Sequence, residues 1–266
     1  MKLLLIVSLP ILIIGNSISR AQDLGTSEKT NHNASGNTGY PEHHKSLLLK
    51  RWNSGSEDCR TNDEPLIEVF NFGKSTYVLR QNKCVSFEAP FIYVLFGEHT
   101  VLVHDTGATE SAEIFPLYKA VSTLIRERSE LGYPGIQKVL VTHSHSHGDH
   151  TSADLQFKNQ HKVKLVEPSN EALLEYFGFT DWPNGSANIN LGARELTIIP
   201  TPGHQEESIS IYDPQTQWIL TGDTFYPGNI YVKNWETYKS SIQPIGGFFK
   251  RTSSVGLNGF TYRNDQ

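Results

Sequence analysis

The sequence has few of the features that mark several common classes of protein. It contains only two cysteines, Cys59 and Cys84, which do not form the C-x-x-C spacing of metal or redox sites. Lysine and arginine total 23 against 28 aspartate and glutamate residues, which gives a net charge of −5 without any basic cluster. This charge balance argues against a nucleic-acid-binding groove, so no nucleic-acid partner is expected. Beyond the N-terminal segment, no apolar run is long enough to cross a membrane.

The N-terminal segment has the pattern of a secretory signal peptide. Lys2 precedes an apolar run over residues 3–14, and small and polar residues follow the run. Because the run is too short for a comfortable membrane span, an uncleaved anchor is the weaker alternative. We therefore expect a signal peptide over residues 1–21, cleaved after Ser19 or Ala21. The mature protein is predicted to be secreted, in the extracellular space or the periplasm, with no membrane contact beyond this segment.

The segment after the signal peptide is predicted to be a polar, disordered linker over residues 22–64, since it contains few apolar residues and many Asn, Ser, Gly and His. Secretion would allow Cys59 and Cys84 to form a disulfide, and two free thiols are the alternative. The triplets Asn33-Ala34-Ser35 and Asn184-Gly185-Ser186 would be glycan acceptors in a eukaryotic host.

A cluster of histidines follows a predicted strand at residues 136–141. Alternate residues of an extended chain point to the same side, so His145 and His147 can reach one metal ion together. Gly148 allows a sharp turn, after which Asp149 and His150 point elsewhere and can serve a second ion or a bound water. Imidazole and carboxylate ligands without a nearby thiolate favour Zn²⁺, with Fe or Mn as alternatives. The competing interpretation is a histidine-rich loop that binds metal without a function.

The register of the histidine cluster follows from the position of its acidic residue. Only His145, His147, Asp149 and His150 satisfy the pattern H-x-H-x-D-H. His143 is also spaced two residues from His145, but an acidic residue is then missing from the required position. His143 is therefore predicted to be a histidine at a strand end, and not a metal ligand.

The pattern H-x-H-x-D-H after a buried strand resembles the signature of the metallo-β-lactamase superfamily. Three further stretches occur in the order of that family, each at a predicted strand end: Asp105-Thr106-Gly107, Thr201-Pro202-Gly203-His204 and Leu220-Thr221-Gly222-Asp223-Thr224. The resemblance covers residues 66–243.

The resemblance implies a role for each of these polar residues. His145, His147 and His204 would hold a first metal ion, Asp149 and His150 would hold a second, and Asp223 would bridge the two. Asp105 would orient the surrounding loops by hydrogen bonds without binding metal. Asp149 and Asp223 are the expected catalytic residues, and one or two zinc ions are the expected cofactors.

The secondary-structure pattern agrees with the fold of that family. Apolar and alternating segments predict strands at residues 66–72, 76–79, 91–96, 100–104, 136–141, 163–166, 195–199, 208–212 and 218–220. The clearest helix is predicted over residues 112–130, with Pro116 tolerated in its first turn. Strand sets followed by helices fit an α/β, αββα four-layer sandwich of two facing mixed β-sheets flanked by helices. The domain is predicted to span residues 65–243.

The C-terminal part departs from the family pattern. The sequence has no histidine after His204, where the family has a last metal histidine. A helix that begins near Tyr238 is predicted to break at Pro244, and residues 244–266 form an atypical tail, as if the chain were truncated or its end replaced. We therefore expect one tightly held metal ion per chain under modest metal supply, and not two.

The predicted function is a metal-dependent hydrolase acting on a small molecule. In such enzymes a metal-bound water becomes hydroxide near neutral pH, because the cation lowers its pKa to about 7. The substrate is expected to be a small ester, lactone, amide or related compound. Thioesterases and dioxygenases of the family are usually intracellular, so the signal segment weighs against both. The alternative is a catalytically silent, secreted metal-binding protein, and no oligomeric state is predicted.

Overall fold

The computed structural model describes residues 7–8, 47, 50–53 and 55–252. Most of the predicted signal peptide, the first part of the predicted linker and residues 253–266 of the predicted tail lie outside them. The described residues form two facing β-sheets with helices packed on the outside, which confirms the αββα sandwich. The domain limits and secretion stay predictions.

The first sheet has six strands whose spatial order follows the chain. They are β2 (Ile67–Gly73), β3 (Thr76–Gln81), β4 (Phe91–Phe96), β5 (Thr100–His104), β6 (Lys138–Thr142) and β7 (Val163–Leu165). The strands from β2 to β5 pair antiparallel, whereas β5, β6 and β7 pair parallel. Since parallel strands end on the same side, the chain leaves β5, β6 and β7 at one edge of the sheet. We call this the carboxyl edge.

The second sheet has five antiparallel strands. In spatial order they are β1 (Val7–Ser8), β11 (Trp218–Leu220), β10 (Ile209–Asp213), β9 (Glu195–Pro200) and β8 (Ala187–Asn190). Strand β8 was not among the strands predicted from the sequence. Its four residues alternate only between half-buried and exposed positions, so the strand has no apolar run to reveal it.

Strand β4 shows how both faces of the first sheet are covered. All six of its residues are buried. Alternate residues, Phe91, Tyr93 and Leu95, lie in the core between the two sheets, where Trp218 of β11 also packs. The remaining three pack in a second core that includes Leu117 of the following helix. A strand buried on both faces is apolar throughout, which explains why this run does not alternate.

Five helices complete the described fold: α1 (Leu117–Glu130), α2 (Gly148–Thr151), α3 (Asp154–Phe157), α4 (Asn170–Phe177) and α5 (Trp235–Thr252), with 3₁₀ turns at Cys59–Thr61 and Gly222–Thr224. Ser169 caps the start of α4, because its hydroxyl accepts a hydrogen bond from the amide of Ala172 at 3.3 Å. None of the helices in the described ranges is long and apolar enough to span a membrane.

The start of α1 corrects the sequence prediction. The helix begins at Leu117, five residues later than predicted, and Pro116 is its N-cap. Proline lacks an amide hydrogen and is accommodated at a helix start, so the chain turns into the helix at this residue. As a result Phe115, which precedes the helix, is fully buried, whereas Ile114, which lies within the predicted helix range, is 50% exposed.

Helix α5 corrects a second prediction, since it continues through Pro244 to Thr252. Its apolar face is anchored on the domain: Tyr238 and Ile245 are buried, and the Ser241 hydroxyl donates to the carbonyl of Pro202 at 2.5 Å. Tertiary packing of one helix face outweighs the weak helix propensity of proline and glycine here. The break predicted at Pro244 is therefore wrong within the described residues.

A buried arginine joins the two sheets at the edge opposite the carboxyl edge. The Arg194 guanidinium pairs with Asp213 of the second sheet at 2.6 Å. It also donates to the carbonyls of Ser75 and Phe96 in the first sheet at 2.7 and 3.2 Å. Because a buried charge is stable only when it is paired and hydrogen-bonded, this set of contacts fixes the distance between the sheets.

The described end of the predicted linker packs against the first sheet. The Trp52 ring meets the ring of Phe91 edge-on, with centroids 4.8 Å apart. Cys59 and Cys84, which are 25 residues apart in the sequence, form a disulfide. The predicted alternative of two free thiols is therefore not observed. Cys84 lies three residues after the end of β3, and the bond therefore ties this segment to the domain.

Replacing both cysteines by serine is expected to lower the free energy of unfolding by about 3–4 kcal/mol, because the cross-link restricts the unfolded chain over this loop length. Urea unfolding of Cys59→Ser/Cys84→Ser and of the wild type would measure the loss. Reducing agent should bring the wild type to the stability of the variant and leave the variant unchanged. Equal stability of the two oxidised proteins would contradict the expectation.

His104 is a buried histidine at the end of β5 and gives the fold a pH dependence. Burial lowers its pKa from 6.5 to about 4. Between these values the folded state binds fewer protons than the unfolded state, so stability rises with pH across the window. The contribution is present above pH 6.5 and is lost as the pH falls through about 4.

The variant His104→Gln, which has no titrating group, should therefore show a flatter pH profile. The difference from the wild type between pH 4 and 6.5 should reach up to ~3 kcal/mol, at 1.36 kcal/mol per pKa unit. Urea unfolding of both proteins across this range, in the presence of a chelator, would measure it. If the free energy of unfolding changed with pH equally in both proteins, the protonation of His104 would not affect stability.

Candidate metal centre

The candidate site lies at the carboxyl edge, where the parallel strands β5 and β6 end side by side. The backbone amide of Asp105, the residue after β5, donates to the carbonyl of Thr142 at 2.8 Å. Its carboxylate accepts from the amide and the hydroxyl of Ser144, in the loop after β6, at 2.7 and 3.1 Å. Asp105 adopts a positive φ of 68°, a conformation that aspartate tolerates better than most residues. These bonds agree with its predicted role as an organiser of the loops.

The structure brings all six predicted metal ligands into two adjoining groups. The ligand atoms of each group lie within 4.8 Å of one another, and the groups are His145, His147, His204 and Asp223, and Asp149, His150 and Asp223. Asp223 belongs to both, as expected of a bridging carboxylate. Their roles as ligands stay a prediction, which this convergence supports.

The first group is centred on three imidazoles. Nδ1 of His147 lies 3.0 Å from Nε2 of His145 and 3.1 Å from Nε2 of His204. Asp223 places Oδ2 3.7 Å from Nε2 of His204. Three imidazole nitrogens and one carboxylate oxygen therefore face a common centre, which is a complete donor set for a tetrahedral zinc ion.

The second group is centred on His150. Its Nε2 atom lies 3.5 Å from a carboxylate oxygen of Asp149 and 3.5 Å from one of Asp223. This nitrogen is buried and makes no hydrogen bond among the described residues. A buried ring nitrogen that faces two carboxylates without a hydrogen bond is the arrangement that a cation would complete. The residues present therefore fit a metal ion in both groups.

In two of the histidines, the ring nitrogen that faces away from the centre is hydrogen-bonded to another part of the protein. Nδ1 of His150 is 2.8 Å from the Asp105 carboxylate, and Nδ1 of His204 donates to the carbonyl of Tyr231 at 2.6 Å. Each bond turns Nε2 of the same ring toward the centre and fixes the ring orientation. Such partners commonly orient metal-binding histidines and raise their basicity.

Two glycines allow the ligand-bearing turns to approach their neighbours. Gly222, directly before Asp223, has a φ of +50°, and a Cβ atom there would lie 2.4 Å from Cβ of Ser144. Gly203, directly before His204, has a φ of +138°, and its Cβ would lie 2.6 Å from Cα of Tyr238. Only glycine meets both the space and the backbone requirements, which explains why a glycine precedes each ligand.

The pKa values of two histidines in the site are shifted in opposite directions. Burial, reinforced by the neighbouring His150, lowers the pKa of His145 to about 2, so its lone pair is available to a metal ion at neutral pH. Burial opposes a charge on His150 as well, but Asp105 and then Asp223 and Asp149 raise its pKa to about 10. Without a metal, a proton on His150 thus offsets the surrounding carboxylates, and a bound cation would displace it.

His143 lies outside both groups. Its ring is buried, with Nε2 2.8 Å from the Asp154 carboxylate and Nδ1 3.3 Å from the carbonyl of Val166. Thr106 donates to the same carboxylate at 2.7 Å. The structure thus places His143 in a supporting network behind the metal groups, in agreement with the register chosen from the sequence.

Several residues around the site were not predicted from the sequence. Glu207 accepts a hydrogen bond from the Ser146 amide at 3.0 Å and so holds the loop between His145 and His147. Tyr231 contributes a backbone carbonyl, which no side-chain pattern can reveal. The Gln205 side chain contacts the His147 ring, and the one sequence signal for it is its position directly after His204.

The aromatic segment around Tyr176 lies away from the metal groups. The Tyr176 hydroxyl accepts a hydrogen bond from Lys138, the first residue of β6, at 2.9 Å. The metal groups follow the opposite end of that strand. Phe177, Phe179 and Trp182 pack against the core between the sheets, so the segment has a structural role.

Two facing sheets with a cluster of histidines and aspartates at one edge are the arrangement found in a class of metallo-hydrolases. The chain belongs to the metallo-beta-lactamase superfamily, whose family model matches residues 86–255. The match includes all six predicted ligands and the loop that contains Asp105.

The curated relatives include a hydroxyacylglutathione hydrolase and an acyl-coenzyme A thioesterase. A hydroxyacylglutathione hydrolase from Bartonella quintana is 31% identical over 128 residues, which are 47% of this chain and 47% of the relative. The acyl-coenzyme A thioesterase MBLAC2 from Bos taurus is 25% identical over 186 residues, covering 58% of this chain and 64% of the relative. The chain thus spans about half to two thirds of the length of these relatives.

A metallo-beta-lactamase from Pontibacter korlensis is among the solved structures that match this chain. It has 15% sequence identity and a TM-score of 0.48, and the match covers 70% of this chain and 88% of that one.

Proposed function

We propose that the protein is a metal-dependent hydrolase of small acyl thioesters. The observation that carries the proposal is the convergence of His145, His147, His204, Asp149, His150 and Asp223 on two adjoining centres. The relatives support the thioester part, because both named relatives are, by their names, hydrolases of acyl–thiol conjugates. The proposal departs from the expectation drawn from the signal segment, which weighed against thioesterases because those of the family are usually intracellular. Zinc is the proposed ion, since the donors are imidazole and carboxylate.

Some residues of the chain would hold the metal ions, and others would orient the attacking water or the ligand rings. When bound, zinc ions would polarise the thioester carbonyl and lower the pKa of water to about 7. Asp149, whose side chain is 14% exposed, can accept a hydrogen bond from the attacking water and orient it. Asp105 and Tyr231 keep the rings of His150 and His204 turned inward, so that the centre is organised before substrate arrives. Water then adds to the carbonyl carbon, the C–S bond breaks, and the products are a carboxylic acid and a thiol.

A turnover assay tests both parts of the proposal. The purified, zinc-loaded chain would be assayed with a hydroxyacylglutathione, an acyl-coenzyme A, an oxygen ester, a lactone and a β-lactam. We expect the thioesters to react fastest, with activity lost on chelation and restored by zinc. Preference for the lactone or the β-lactam would overturn the substrate class, and chelator-resistant turnover would overturn the metal dependence.

A further inference from the structure

The segment between α4 and β8 carries the triplet Asn184-Gly185-Ser186 at the surface of the domain. All three residues are exposed. Gly185 has a φ of +82°, and a Cβ atom built on it would have no heavy atom within 4 Å apart from its chain neighbours. The turn therefore points into solvent, with room for a large group on the Asn184 side chain.

The residues before this turn are anchored to the domain. The Trp182 side chain is half-buried against the core between the sheets, and its ring meets the Phe179 ring with centroids 5.4 Å apart. Two residues later, the side-chain amide nitrogen of Asn184 donates to the Asp181 carboxylate at 3.3 Å. An amide nitrogen has two hydrogens, so a group bonded to it leaves one for this hydrogen bond. A modification of Asn184 therefore requires no change in the packing of the segment.

The cysteines point to an oxidising compartment, and this evidence does not depend on the N-terminal segment. The sequence contains two cysteines, and both are used in the bond between Cys59 and Cys84. Disulfides form and persist in secretory and extracellular compartments and are rare in the cytosol. The triplet N-x-[ST] is the acceptor of N-glycosylation in the same secretory route, where it occupies surface loops. The disulfide and the exposed triplet thus favour the same compartment.

We propose that Asn184 is an N-glycosylation site of a protein that matures in a eukaryotic secretory pathway. Nδ2 of Asn184 forms a bond to C1 of the first sugar of a lipid-linked oligosaccharide. The bond from C1 to the oxygen of the lipid diphosphate breaks, the amide nitrogen loses one proton, and the lipid diphosphate leaves. Asn184 belongs to neither metal group, so the proposal does not depend on the proposed hydrolysis.

The position of Asn184 gives the glycan a physical role. Asn184 lies three residues before β8, and β8 is the outermost strand at one end of the second sheet. The free edge of such a strand presents N–H and C=O groups that can pair with another chain, and charged side chains commonly prevent this. The exposed residues of β8, Asn188 and Asn190, are uncharged. A bulky, solvated glycan at the start of the strand would hinder edge-to-edge association in their place.

Site-resolved mass spectrometry tests the modification. The full chain would be expressed with its own N-terminal segment in a eukaryotic secretory cell line, purified, and treated with a peptide N-glycosidase in heavy-oxygen water, which converts a glycosylated asparagine to labelled aspartate. We expect the label at Asn184 in most chains. Asn184→Gln and Ser186→Ala should lose it, whereas Ser186→Thr should keep it, because the acceptor triplet requires a hydroxyl at this position. A wild type without label at Asn184 would overturn the site, and a chain found in the cytosol with reduced cysteines would overturn the compartment.

The matched control is Asn188→Gln. Asn188 is an exposed asparagine four residues after Asn184, and Asn190 stands where a hydroxyl residue would complete a triplet. This variant should keep the label at Asn184.

Light scattering of concentrated samples tests the role of the glycan. Ser186→Ala retains Asn184 but lacks the glycan, so it should lose monomer faster than the wild type while its zinc content stays the same. Equal loss of monomer in the two proteins would overturn the shielding of β8.

Discussion

Replacing His145 or His204 by alanine is expected to remove most of the tightly bound metal and to lower thioester hydrolysis at least ~10³-fold. Each variant deletes one of three converging imidazoles, and a catalytic metal ion contributes several kcal/mol, of which each 1.36 kcal/mol is tenfold in rate. Elemental analysis after gel filtration, together with kcat/KM, would measure both losses. Full metal retention by either variant would show that the residue is not a ligand.

The matched control for these variants is His143→Gln. His143 lies two residues from His145 in the sequence but bonds to Asp154, outside the metal groups. The variant is expected to lose some stability, because a buried hydrogen-bond network is disturbed, and to keep the metal content of the wild type when folded. A large loss of metal at wild-type stability would show that the register of the motif is wrong.

Asp223→Asn is expected to impair metal binding and activity much more than folding, with a loss of activity comparable to that of the histidine variants. Asp223 is the one residue common to both groups, and an amide supplies no negative charge between two cations. Elemental analysis and kcat/KM would measure the loss, and urea unfolding of the metal-free protein would report on folding. If stability fell in step with activity, Asp223 would be a structural residue.

Asp149→Asn is the comparison that separates the two groups. Asp149 belongs only to the second, so this variant should keep the first metal ion and lose the second. Activity should fall, since Asp149 is also the proposed partner of the attacking water. Equal metal loss in Asp149→Asn and Asp223→Asn would contradict the assignment of Asp223 as the shared ligand.

Much of this architecture could be predicted from local sequence patterns. The run Phe91–Phe96 is a strand because a strand covered on both faces is apolar throughout. The H-x-H-x-D-H pattern specifies four candidate ligands within six residues, and the glycines before His204 and Asp223 are required by the backbone at those turns. In these places the structural feature depends on neighbouring residues, so the local sequence is enough to predict it.

The rest depends on contacts between distant segments. The partner of His204 is a backbone carbonyl 27 residues away, at Tyr231, which leaves no side-chain signal. Helix α5 passes through Pro244 because Tyr238 and Ile245 are buried against the domain, and single-residue propensities do not contain that packing. The pairing of Cys59 with Cys84 likewise required the folded positions of both.

The six side chains of the two groups are proposed to form a metal centre that performs hydrolysis. The most direct measurement is the metal content of the purified chain, determined after gel filtration at low free zinc, with thioester turnover followed in the same samples. The first group offers three imidazoles and a carboxylate, whereas the second offers one imidazole and two carboxylates, one of them shared. We therefore predict about one tightly bound zinc ion per chain, a second only at higher zinc, and turnover that disappears with the metal. A folded chain that binds no zinc, or one that hydrolyses thioesters equally well without it, would contradict the account.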